Sequence, residues 1–127
     1  MKDNKKTILV VEDEVQMLEL LRTRLEANGY NIITATTGES AYDTYLKESP
    51  DLIVLDINIP TFNGYEVCRK IKRENDDNST PVLMLTAKAQ ESDRIVGKVI
   101  GAECYMTKPF DPTELLDKIK ELLRDAI

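Results

Sequence analysis

Two hydrophobic periods alternate along this chain. TILVV (residues 7–11) is a continuous apolar run, the pattern of a parallel strand covered on both faces. From Glu14 onward the apolar positions fall three or four apart, at Val15, Leu18, Leu21 and Leu25, which is one stripe of an amphipathic helix. Asn28-Gly29 then closes that helix, because glycine readily takes the left-handed backbone of a C-terminal cap. The pair of patterns recurs. NIITAT (31–36) predicts a strand, and residues 38–49 predict a helix stopped by Pro50. DLIVLD (51–56) predicts a buried strand, followed by a turn holding Pro60 and Asn63-Gly64 and a helix over 64–75. PVLMLT (81–86) leads to a helix over about 91–100, and ECYMT (103–107) leads to a last helix. Asp111 caps that helix and Pro112 takes its first position, where a missing N–H costs nothing.

Five strands each followed by a helix predict an α/β domain, a (βα)5 doubly wound five-stranded parallel sheet with helices on both faces. Such sheets commonly run in the order 2-1-3-4-5, with the ligand crevice at the carboxyl ends between strands 1 and 3, where the winding reverses. A length of 127 residues fits a single domain over 1–127, and no repeat or linker divides it.

Charge narrows the class of partner. A net charge of −6 argues against direct nucleic-acid binding, which needs a basic face to neutralise phosphates. The basic run RKIKR (69–73) is balanced one turn later by ENDD, so it reads as a solvated helix face. No apolar stretch approaches the roughly 18 residues of a membrane span, and no apolar signal core follows MKDNKK. A cytoplasmic location is expected. Cys68 and Cys104 make no disulfide framework and read as two small core thiols; the chain holds no histidine to complete a soft metal site with them.

The chemistry gathers at the strand ends. Strand 1 runs into Glu12 and Asp13, and strand 3 ends on Asp56. Taken singly, each acid reads as a cap for the helix that follows. Three carboxylates converging at one rim repel one another and call for a counter-ion, and a hard oxygen-seeking cation, Mg2+ above all, suits them. Strand 4 ends on Thr86 and strand 5 runs into Lys108-Pro109, which places a hydroxyl and an ammonium at the same rim. A carboxylate nucleophile with Mg2+ and a lysine clamp is a device for accepting a phosphoryl group as an aspartyl phosphate. Neither GxxxxGK[ST] nor a GxGxxG after a strand is present, so no nucleotide site is indicated and the group is expected to be received from elsewhere.

Together ILVVEDE, DLIVLDINIPTFNGYEV, PVLMLTAK and GAECYMTKPF resemble the receiver domain of bacterial two-component response regulators, in order and in spacing, over about residues 6–123. The resemblance implies the flavodoxin-like receiver fold and a phosphorylated signalling switch rather than an enzyme. It implies that Asp56 is the phosphoacceptor, Asp13 a direct Mg2+ ligand, Glu12 its partner through water, and Asn58 the donor of a backbone carbonyl to the metal. By the same token Thr86 and Lys108 engage the phosphoryl group, Tyr105 is the switch aromatic, the Lys108-Pro109 bond is cis, and side chains at Asn58 and Lys88 tune the lifetime of the phosphoryl group. The implied donor is a sensor histidine kinase or a histidine phosphotransfer protein. The implied readout is the face of strands 4 and 5 and the last helix, acting on an output domain or a downstream protein. The sequence departs from the family in two places. Glu103-Cys104 stands where many members have Asp-Asp, and Lys118 stands where winged-helix regulators carry an Arg, while Arg94 and Glu114 match another cross-pair of theirs. Monomer and phosphorylation-dependent homodimer both stay open, as do a stand-alone domain and one part of a longer regulator. A Mg2+-dependent phosphohydrolase and a phosphorylation-independent interaction module are the rival readings.

Overall fold

The computed structural model describes residues 5–87 and 101–124; the helix expected over 91–100, with Lys88 and Arg94, lies outside the described residues. Five strands, β1 (Thr7–Val11), β2 (Asn31–Ala35), β3 (Leu52–Asp56), β4 (Val82–Thr86) and β5 (Cys104–Thr107), form a parallel sheet in the order β2-β1-β3-β4-β5. That is the expected doubly wound order. The helices among the described residues are α1 (Val15–Ala27), α2 (Gly38–Glu48), α3 (Gly64–Arg69), which continues as a π-helical turn over Lys70–Glu74, and α4 (Pro112–Arg124).

The uninterrupted apolar runs follow from burial on both faces. Successive strand residues point to opposite sides of the sheet. Leu9, Val11, Ile53, Leu55, Val82 and Met84 pack on one face with residues of α2 and α3. Ile8, Val10, Leu52, Val54, Leu83 and Leu85 pack on the other with Leu18, Leu21 and Leu25 of α1 and Leu115, Ile119 and Leu123 of α4. Each fully buried aliphatic side chain is worth about 1.5–3 kcal/mol, so the central strands β1, β3 and β4 are the most firmly held part of the fold. Cys68 is buried and Cys104 half-buried, both as free thiols, and burial pushes the Cys68 thiol up to about 11. Both fit the expected role of small packing residues.

Three local expectations need correction. Val15 is 68% exposed and does not join the α1 stripe. It occupies the first helical position, where Cβ leans toward the N-terminus and away from the sheet. The third helix is not α-helical throughout: the Asn75 N–H donates to the Lys70 carbonyl at 3.2 Å, five residues back, and the Asn75 side chain donates to the same oxygen at 3.0 Å. The wider turn buries adjacent Ile71 and Lys72. Lys72 therefore does not belong to a solvated face, and RKIKR is only partly a surface run.

The loop leaving the carboxyl end of β3 is clamped to the start of α2. The Gly38 N–H donates to the Pro60 carbonyl at 2.9 Å, and the Glu39 N–H donates to the Thr61 hydroxyl at 2.9 Å. A Cβ on Gly38 would sit 2.6 Å from Phe62 Cβ and 2.7 Å from its carbonyl carbon, with the carbonyl oxygen closer still. Gly38→Ala would gain about 0.5–1 kcal/mol of helix propensity but force this loop aside, an overpacking cost of up to about 3 kcal/mol or more. The expected result is a net loss of stability of about 2 kcal/mol, read as a lower urea midpoint; an unchanged or raised midpoint would show that the loop yields freely.

Candidate functional site

Backbone pairing carries β1 and β3 side by side, with Val11 opposite Leu55, so the residues just beyond meet at one rim. The Glu12 N–H donates to the Ala35 carbonyl at 3.1 Å, which extends the β1–β2 ladder by one residue and holds Glu12 in place. Glu12 is 1% exposed and Asp56 4% exposed, whereas Asp13 is open to solvent. Each of the three offers a carboxylate oxygen within 4.8 Å of the other two. The expected convergence of acids is therefore present.

Lys108 is the cation bonded to this cluster. Its Nζ lies 2.6 Å from Glu12 Oε1 and 3.3 Å from Asp56 Oδ2, and its backbone N–H donates to the Thr86 carbonyl at 2.7 Å, tying the lysine to the tip of β4. Burial lowers the Lys108 pKa, but the hydrogen bond it donates to Glu12 and the charges of Asp56 and Glu12 outweigh it, so the net direction is upward and the ammonium is held charged. Three carboxylates against one ammonium leave the rim negative, and all the donor atoms are hard oxygens, which suits Mg2+.

The remaining expected residues border this cluster. The Asn58 N–H donates to Asp56 Oδ1 at 3.3 Å, while Asn58 itself is exposed at the rim. Thr86 closes β4 beside Asp56's strand and is 3% exposed, in register with Thr107 of β5. Tyr105 is half-buried, and its hydroxyl lies 3.2 Å from that of Tyr65 on α3. The Lys108-Pro109 peptide is cis. Tyr65 and the ion pair of buried Lys72 with Glu103 were not visible in the sequence pattern, because neither stands at the carboxyl tip of a strand.

A cavity of about 520 Å3 opens at the opposite end of the sheet, away from these acids. Its own acids are already engaged: Asp51 accepts from the Thr7 N–H at 2.8 Å, and Asp77 accepts from Tyr45 Oη at 2.5 Å and from Ser79 and Thr80. The acidic rim is therefore the better candidate for chemistry.

Sheet order and rim define a class, a flavodoxin-like doubly wound domain whose carboxyl-end crevice is lined by acids in place of a glycine-rich phosphate loop. Residues 8–120 match the family model described as the response regulator receiver domain. The chain is 47% identical over 119 residues to the alkaline phosphatase synthesis transcriptional regulatory protein PhoP of Bacillus subtilis, covering 94% of this chain and 49% of that protein. It is 40% identical over 119 residues to the phosphate regulon transcriptional regulatory protein PhoB of Pseudomonas aeruginosa, covering 94% of this chain and 52% of that one. The chain thus spans about half the length of these relatives. The CheY-like receiver domain structure from Methanospirillum hungatei superposes with a TM-score of 0.90 at 29% identity, over 97% of each chain. The chain belongs to the response regulator receiver domain family. Such domains are signalling switches rather than classical enzymes.

Proposed function

We propose that residues 1–127 form one receiver domain that takes a phosphoryl group onto Asp56 from the phosphohistidine of a sensor histidine kinase or histidine phosphotransfer protein. The observation that carries this reading is Asp56 itself: a buried carboxylate at the tip of β3, bonded to Lys108 and within 4.8 Å of two further acids. An Asp56 carboxylate oxygen attacks phosphorus, the P–N bond of phosphohistidine breaks, and the departing imidazole keeps the electron pair and takes up a proton. Mg2+ would be held by Asp13, Asp56 and the Asn58 carbonyl, with Glu12 acting through water, and would supply positive charge against the incoming phosphoryl oxygens.

The chain's own residues do the rest. Lys108 exchanges its bonds to Glu12 and Asp56 for a phosphoryl oxygen, and Thr86 donates its hydroxyl to another. Tyr105 repacks as Thr86 shifts, so the face of β4, β5 and α4 changes. The phosphoryl group selects one of two arrangements by the contacts it makes in each. The receiver acts in the cytoplasm, as a monomer or as a phosphorylation-dependent homodimer, and passes its state to an output domain or a downstream protein. The transcriptional-regulator names of PhoP and PhoB favour a DNA-binding output outside these residues. No helix among the described residues is long and apolar enough to cross a membrane.

The test is to incubate the protein with acetyl phosphate and Mg2+, reduce the product with borohydride, and sequence it by mass spectrometry. One acyl phosphate is expected, read as homoserine at position 56, and chelation of the metal removes it. Adduct at another residue, or continuous turnover of small phosphate esters, would overturn the assignment; the second result would favour a phosphohydrolase.

A further inference from the structure

We propose that Tyr65 is a positioning residue for the switch: its hydroxyl latches Tyr105 in the arrangement that has Lys108 bonded to the acids. This rests on the reading of Tyr105 given above. Tyr105 pairs with Met84 across the β4–β5 ladder, and Thr107 pairs with Thr86 two residues on. Residues two apart on a strand share a face. Met84 belongs to the core beneath α2 and α3, and Tyr105 packs against that core. Tyr105 therefore shares one face of the sheet with Thr86, and that face is the one α3 covers.

Tyr65 is the second residue of α3, and it too packs partly buried against the same core. The two hydroxyls, forty residues apart in sequence, stand 3.2 Å from each other. A hydroxyl is both donor and acceptor, so the pair is satisfied with either proton orientation, and a phenylalanine at 65 keeps the ring but removes the bond. The start of α3 is anchored near the site: the Asn63 side chain caps it through the Glu66 N–H, and the Gly64 N–H donates to the Ile57 carbonyl, one residue beyond Asp56. The latch thus runs from the tip of β3 through the first turn of α3 to Tyr105. Tyr105 also lines a cavity of about 160 Å3 with Phe110, Asp111 and Glu114, so the position of its ring shapes that surface.

Losing one such bond favours the alternative arrangement by about fivefold, the weight of an ordinary hydrogen bond. The experiment is 19F NMR on protein carrying fluorotyrosine, with the Tyr105 signal assigned through Tyr105→Phe. Wild type and Tyr65→Phe are compared with Mg2+ alone and with Mg2+ plus beryllofluoride as the phosphoryl mimic. With Mg2+ alone, Tyr65→Phe is expected to move the Tyr105 signal toward its beryllofluoride position, and to lower the beryllofluoride concentration at half-saturation by about fivefold. Amide hydrogen exchange in the central strands β1, β3 and β4 stays unchanged, which a general loss of structure would not allow. A Tyr105 signal identical in Tyr65→Phe and wild type with Mg2+ alone overturns the latch. A wild-type Tyr105 signal that ignores beryllofluoride, while Tyr65→Phe still moves it, instead sinks the switch role of Tyr105.

Discussion

Asp56→Asn is expected to abolish phosphoryl labelling and yet make the metal-free protein more stable. The first half follows from chemistry, since a carboxamide is not a nucleophile toward phosphorus, and the other buried acid at the rim, Glu12, is held by Lys108 at 2.6 Å. The second half follows from magnitudes. Asp56 faces two like charges within 4.8 Å and one opposite charge at 3.3 Å. At an effective dielectric constant of about 20, each repulsion is at least about 3.5 kcal/mol and the single attraction about 5 kcal/mol. Two repulsions win. Asparagine is nearly isosteric and keeps an oxygen to accept the Asn58 N–H, while Lys108 keeps its 2.6 Å bond to Glu12. The expected gain is about 1–2 kcal/mol, or several degrees in Tm for a chain of this size. Stabilisation by added Mg2+ should shrink at the same time, because a weaker site contributes less through mass action. Thermal melts with and without Mg2+, beside a labelling assay with acetyl phosphate, check all three. Labelling at the wild-type level, or a metal-free Tm below wild type, would sink the charge argument at Asp56.

The same rim shows what the sequence made legible. Asp56, Glu12 and Asp13 were readable because a parallel sheet fixes where strand ends go: an apolar run that stops on a carboxylate announces a buried strand with an acid at its tip. Strand order and the convergence of acids with Lys108 follow from that single rule. Val15 was misread because the helical period identifies a stripe but not where the stripe outruns the sheet. Lys72 was misread for a related reason. A basic run beside an acidic one looks solvated, and nothing in RKIKR shows that the helix widens over Lys70–Glu74 and turns one lysine inward. Tyr65 and Tyr105 meet through a contact across forty residues, and such pairings lie in tertiary packing, not in any local period.

Glu103, two residues before Tyr105, gives the second large expectation. Glu103→Ala is expected to destabilise the fold by about 3–5 kcal/mol, and Lys72→Met by only about 1 kcal/mol. The two belong to one ion pair at 2.9 Å, so a naive reading would give them equal costs. Burial breaks the symmetry. The Lys72 side chain is 5% exposed and that of Glu103 33%. Without Glu103, the Lys72 ammonium stays buried with its bond to the Thr80 carbonyl, 2.7 Å away, and no carboxylate against it there, and the Val82 N–H loses the carboxylate oxygen it donates to at 2.8 Å. Without Lys72, Glu103 can turn its free oxygen to water and still hold Val82, and a methionine fills the space of the lysine stem. Breaking a buried pair from the side that strands the buried charge is the costly direction. Urea unfolding of both variants measures the difference, and equal losses would mean that burial does not set the cost. The bond from the Val82 N–H to the Glu103 carboxylate also ties the start of β5 to β4, two residues before Tyr105. Amide hydrogen exchange in Glu103→Ala should therefore rise first along β5, loosening the strand that carries Tyr105 before the central strands respond.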